Sequence, residues 1–195
     1  QGNYYGAISA YREALVVHDK LVHLHMAIGR NANALGNWTL AVQAYTDAVE
    51  ADPNHVPALA RLGLVLLLTG DYNKAEANLT KAIKLDPDDP ELYKGRAQIL
   101  ERQRAFAEAM ADWEKALSLW SKPSDRSARR EARTRIVNLL PRWDAGNHKD
   151  AYRQRWEDGF AGQPPDLDAG YFLVAYYQRF VQNGQPRQTL ERLLT

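Results

Sequence analysis

Apolar and small residues recur in this chain with a constant offset of 34 positions. An aromatic column runs through Tyr4, Trp38, Tyr72 and Phe106, and an alanine column through Ala7, Ala41, Ala75 and Ala109. A column of large residues follows at Tyr11, Tyr45, Leu79 and Trp113, then a second alanine column at Ala14, Ala48, Ala82 and Ala116. Gly2, Gly36 and Gly70 keep the same offset, with Arg104 in the fourth place. Such a period marks a stack of supersecondary units, each burying its apolar face against its neighbours. Each unit reads as two helices. In one, Val22 to Ala34 is the first helix, Leu35-Gly36-Asn37 the turn, and Trp38 to Ala51 the second. Asp52-Pro53-Asn54 closes it, because proline cannot continue a helix while Asp and Asn suit turns and N-caps. The next runs from Val56 to Thr69, turns at Gly70-Asp71, resumes from Tyr72 to Leu85 and ends at Asp86-Pro87-Asp88-Asp89-Pro90. Pro90 fits the first turn of the helix after it. Ala41 and Ala48, like Ala75 and Ala82, lie on one helical face, where small side chains let two helices approach closely.

These residues resemble the signature of the tetratricopeptide repeat: Gly29, Gly36, Trp38, Ala41, Tyr45, Ala48 and Pro53 in one copy, and Leu62-Gly63, Gly70, Tyr72, Ala75, Ala82 and Pro87 in the next. A third copy keeps Ala97, Phe106, Ala109, Trp113 and Ala116, but has Arg104 for the turn glycine and Ser121 for the closing proline. The resemblance covers residues 1–121, as a half repeat at 1–21 and repeats at 22–55, 56–89 and 90–121. It implies an all-α fold, a right-handed α-solenoid of antiparallel helix pairs, whose first helices line a concave groove commonly used to hold peptides. Beyond 121 the pattern loosens into an irregular helical third. A helical pair is expected over 122–169, with Ser124 to Leu140 as a longer helix and a turn at Asp144-Ala145-Gly146-Asn147. Asp168 is expected to cap a helix to about Gln182, and 170–195 to form a degenerate, truncated repeat with Tyr177 and Phe180 at packing positions.

Composition narrows the function classes. An apolar fraction of 45% and a charged fraction of 25% are those of an ordinary globular protein. A net charge of +1 supplies no global field toward nucleic acid or an anionic membrane. No cysteine is present, so disulfides, thiolate metal sites and a cysteine nucleophile are excluded. The longest apolar run, Leu62 to Leu68, is too short to span a bilayer, so no membrane insertion is expected. The chain opens on Gln1, partway through a repeat, and is expected to be a piece of a longer protein.

On the geometry that the resemblance implies, the groove is lined by His23, Met26, Arg30 and Asn33, then Arg61, Leu64, Leu67 and Leu68, then Lys94, Gln98, Glu101 and Arg102. Of these, Arg30, Asn33, Arg61, Leu64, Leu68, Lys94, Gln98 and Arg102 are the expected partner-binding residues. Cations beside an apolar strip suit a protein or peptide with an acidic group and an apolar anchor. Chaperone-binding relatives use a Lys and Asn clamp, and Met26 and Arg30 stand in those first places, which disfavours a heat-shock-chaperone adaptor.

Other constellations read as structure. Arg126, Arg129, Arg130 and Arg133 gather on one helical side, yet no aromatic residue interleaves with them to stack bases, so a solvated face is expected. Trp143, Tyr152, Trp156, Phe160, Tyr171, Phe172, Tyr176, Tyr177 and Phe180 crowd the C-terminal third as core filler rather than a cage. His23 and His25 point to different faces, unlike metal ligands, and His25 takes a place normally given to a buried residue. No phosphate loop or nucleophile elbow is present, so no catalytic residue, cofactor or metal is expected. The expected function is a non-enzymatic interaction scaffold; the alternative is a substrate-recruiting arm of a large enzyme such as a glycosyltransferase, protease or kinase. The face of Tyr4, Ile8, Tyr11 and Leu15, without a preceding helix over it, is a candidate surface for self-association.

Overall fold

The structure is a computed structural model and describes residues 3–17, 21–140, 148–162 and 166–180. Gly2, His18, Trp143, the Asp144-Ala145-Gly146-Asn147 turn and the helix expected at 187–195 lie outside the described residues. Among those described, ten α-helices and no strand are found. They are α1 (Tyr4–Val17), α2 (Val22–Ala34), α3 (Trp38–Ala51), α4 (Val56–Thr69), α5 (Tyr72–Leu85), α6 (Pro90–Gln103), α7 (Phe106–Leu119), α8 (Arg126–Leu139), α9 (His148–Ala161) and α10 (Leu167–Phe180). The chain separates into two compact units, residues 1–119 and 120–195.

In the first unit each helix from α1 to α7 packs on its neighbours in the chain, and α4 also meets α6. Contacts confined to adjacent units are what make a solenoid quasi-one-dimensional. The helix ends follow from side chains the chain places there. Asn37 accepts a hydrogen bond from the Leu40 N–H at 3.1 Å, and Asp71 from the Lys74 N–H at 3.3 Å. His55 Nδ1 accepts from the Ala58 N–H at 3.2 Å, and Asp89 from the Glu91 N–H at 2.9 Å. Each satisfies one of the donors that a helix start leaves unpaired. The three turns within the pairs repeat one bond: Asn37 N–H to Ala32 O, Asp71 N–H to Leu66 O and Ala105 N–H to Leu100 O, all at 2.9 to 3.0 Å. That closure needs a left-handed residue, supplied by Gly36 (φ 69°) and Gly70 (φ 87°). Arg104 adopts the same conformation at φ 66°, so losing the glycine does not alter the turn.

From α3 to α7 the expected columns form the core; on α1 they do not, since Ala7 is half-buried and Ala14 exposed. Ala41, Ala48, Ala75, Ala82, Ala109 and Ala116 are wholly inaccessible, and Tyr45, Leu79 and Trp113 are buried beside them. The column of Trp38, Tyr72 and Phe106 is different. Trp38 is 40% exposed and the other two are half-buried, because the first residue of a second helix stands beside the turn, at the edge of the pair. On α1, Ile8 is buried and Tyr11 half-buried, while Tyr4 and Tyr5 are exposed. The face expected to be bare is therefore partly covered, since α1 packs on α2.

In the second unit α10 packs on both α9 and α8. A boundary between residues 169 and 170 falls inside α10. The longer helix expected from Ser124 is a 3-10 turn at Pro123–Asp125 followed by α8. Trp156, Phe160, Phe172, Tyr176 and Tyr177 are buried, and the Trp156 and Phe172 rings lie 5.1 Å apart, as filler between helices does. Asp168 does not cap α10. That role belongs to Asp166, whose carboxylate accepts from the Asp168 and Ala169 N–H groups at 2.9 and 3.2 Å. Asp168 instead takes Arg129 Nη2 and Arg133 Nε at 2.6 Å each, so α8's arginines are not simply a solvated face. Two of the four tie α8 to α10.

Candidate partner-binding groove

The first helices α4 and α6 approach each other closely because Gly95 has no side chain. A β-carbon there would lie 3.1 Å from Leu79 Cδ1 and 3.2 Å from Leu64 Cδ2. Beside this contact opens a cavity of about 540 Å³. Val56, Pro57, Ala60, Arg61 and Leu64 of α4 form one wall; Glu91, Leu92, Lys94, Gly95 and Gln98 of α6 form the other, and Leu79, Asp86 and Asp89 complete it. Four of the expected partner-binding residues, Arg61, Leu64, Lys94 and Gln98, thus share one site. Arg30, Asn33, Leu68 and Arg102 do not line it. Arg30, Leu68 and Arg102 are exposed, Leu68 at 62%, and Asn33 is half-buried.

Arg30 and Arg61 nevertheless act on a common point. Burial pushes the Tyr45 phenol above its usual ionisation range, and the positive charges of Arg61 and Arg30 pull it part of the way back. Neither arginine forms an ion pair among the described residues. Lys94 Nζ stands 3.5 Å from Glu91 Oε2.

Other expected groove residues lie elsewhere. Met26 is only 6% exposed and belongs to the core. Glu101 accepts the indole N–H of Trp113 at 2.7 Å, which bonds α6 to α7. His25 is buried, with Nδ1 3.7 Å from Asp47 Oδ2. Among the described residues no three His, Asp or Glu side chains come together as a metal site would need, and no helix is long and apolar enough to cross a membrane. The sequence pattern misses the acidic side of the cavity. Asp86 and Asp89 read there only as turn and cap chemistry, and nothing local reveals that the turn is folded against α4.

With this geometry in view, the chain belongs to the tetratricopeptide repeat family: models described as tetratricopeptide repeat match residues 1–56, 32–99 and 66–111. It is similar to rat DnaJ homolog subfamily C member 3, 31% identical over 116 residues, covering 60% of this chain and 22% of that protein. Mouse DnaJ homolog subfamily C member 7 is 35% identical over 91 residues, 45% of this chain and 18% of its own length. Human Protein O-mannosyl-transferase TMTC2 is 32% identical over 90 residues, 45% of this chain and 11% of its own. The chain thus spans less than a quarter of the length of these relatives. Among solved structures, MamA superposes with TM-score 0.67 at 17% identity, over 91% of this chain and 89% of MamA. YrrB, described as a TPR protein with an unusual peptide-binding site, gives 0.63 at 16%, over 95% and 91%. The Yersinia enterocolitica type III secretion chaperone SycD, in complex with a peptide of the translocator YopD, gives 0.58 at 17%, over 60% and 91%. At these identities the likeness is one of fold, the all-helical solenoid.

Proposed function

We propose that this chain is a non-enzymatic protein-interaction scaffold that holds a segment of a partner protein along α2, α4 and α6. The observation that carries this reading is the cavity beside Gly95, where an apolar floor meets Arg61, a cation with no ion pair among the described residues. An apolar anchor and a charged neighbour are what a groove needs to hold an extended segment. The peptide-bound SycD and the peptide-binding site of YrrB lend support, since both share this fold. The test is photo-crosslinking from position 64 in the full-length protein, followed by affinity measurement on the captured partner. Reversing both Arg30 and Arg61 to Glu is expected to weaken that affinity by at least about tenfold. Unchanged affinity would remove the groove assignment.

A second reading makes the chain the substrate-recruiting arm of a larger enzyme. The match to Protein O-mannosyl-transferase TMTC2, of which it covers 11%, favours it. A catalytic domain in the full-length sequence would decide for the arm, and further repeats alone for the scaffold.

A further inference from the structure

Resting on that reading, we propose that the cavity between α4 and α6 takes an apolar side chain flanked by opposite charges, an acidic residue beside Arg61 and a basic residue beside Asp86. Arg61 and Asp86 line the same cavity, and neither forms an ion pair among the described residues, with the other or with anything else. The remaining charges on its walls are engaged. Lys94 and Glu91 face each other at 3.5 Å, and the Asp89 carboxylate caps α6 through the Glu91 N–H. One uncompensated cation and one uncompensated anion therefore remain around a floor of Leu64, Leu79 and Leu92. The complement of that arrangement is a peptide segment of reversed polarity with an apolar centre. A wholly acidic segment would satisfy Arg61 but bring a like charge to Asp86, and a wholly basic one the converse. The cavity, at about 540 Å³, is larger than a leucine or phenylalanine side chain. Its occupant is thus a linear segment of a partner protein carrying both signs of charge.

Three N-acetylated, C-amidated serine-spaced heptapeptides test this by fluorescence polarisation: one carrying Glu, Leu and Lys, one Glu, Leu and Glu, and one Lys, Leu and Lys. The chain should bind the mixed probe about tenfold more tightly than either single-sign probe. Arg61→Asp should move the preference to the dibasic probe, and Asp86→Lys to the diacidic one, with circular dichroism and melting checking that both variants fold. Equal binding of the mixed and diacidic probes, an Asp86→Lys variant with unchanged ranking, or no binding of any probe would overturn the inference. Ala60→Trp, which fills the cavity from a half-buried lining position, separates this from the parent reading. Probes that bind without discrimination, and are lost in Ala60→Trp, leave the groove standing and remove only the dipolar recognition. Probes unaffected by Ala60→Trp remove both.

Discussion

A β-carbon placed at Gly29 would lie 2.5 Å from Cε1 of Tyr45, closer than any real contact allows. Gly29 sits in the middle of α2 and Tyr45 in the middle of α3, so the missing side chain leaves the space that the ring occupies against the facing helix. Tyr45 is 1% exposed and has no open side to retreat to. Gly63 repeats the relationship against Leu79, whose Cγ would stand 2.9 Å away.

Gly29→Ala is expected to destabilise the first unit by about 1 kcal/mol, although alanine is the better helix former. Overpacking costs roughly 1–3 kcal/mol and the gain in propensity offsets about 1. Denaturant titration of the two proteins measures the difference. A variant as stable as the parent would mean that the ring shifts without penalty.

Arg104 offers the opposite sign. Its exposed side chain stands on a left-handed backbone at φ 66°, where a β-carbon is disfavoured by about 1–2 kcal/mol and glycine is not. Arg104→Gly should raise stability by roughly 0.5–1 kcal/mol after glycine's greater freedom in the unfolded chain is subtracted. A lower melting temperature would contradict the shared turn geometry.

Asp112 is buried on α7 and holds Arg96 of α6 through two bonds of 2.7 Å, while Arg96 also donates to Thr80 of α5 at 3.2 Å. Asp112→Ala leaves that guanidinium without its anion and should cost about 3 kcal/mol. Replacing both Arg96 and Asp112 with leucine should recover most of the loss, because an apolar pair leaves no stranded charge.

The second unit has its own test in Asp168, which gathers Arg129 and Arg133 from α8. Asp168→Ala should cost about 2 kcal/mol, less than the Asp112 change because both arginines are partly open to solvent. The loss should shrink as salt is raised. Proteolysis within 120–180 that stays as slow as in the parent would count against this tie.

Alkaline pH should weaken the fold through Tyr45 and Tyr177. Burial raises both phenols, and the neighbouring Glu157 carboxylate adds to the effect at Tyr177. Below about pH 10 both residues are protonated whether folded or unfolded, and their contribution is fully present. Above it the unfolded chain ionises first, so stability falls as pH rises through the folded values. Tyr45→Phe should flatten that decline in melts followed between neutral pH and the alkaline range, and an equally steep decline would exclude Tyr45 as a source.

Much of the first unit is legible in the residue pattern alone. The positions of Ala41, Tyr45 and Ala48 recur at 75, 79 and 82, and their burial follows because each pair meets its neighbour in the same way. The groove was less legible. Arg61, Leu64, Lys94 and Gln98 line one cavity, but Met26 turns into the core and Glu101 is taken by Trp113. In the second unit, Asp168 has the composition of a cap and the position of an ion-pair partner.

The register of the first unit is written in the order of its residues: where helices begin, where they turn, and which small residues of α3 to α7 face inward. Those features depend on neighbours a few residues away and on a repeat that copies them, so they can be read along the chain. Three-dimensional packing alone sets which charges around the cavity have no ion pair among the described residues, that Arg104 keeps a glycine's conformation, and that α8 is fastened to α10 through Asp168. Pairing of that kind is set by distances between segments far apart in the chain, and side chains of the same composition satisfy it in more than one way.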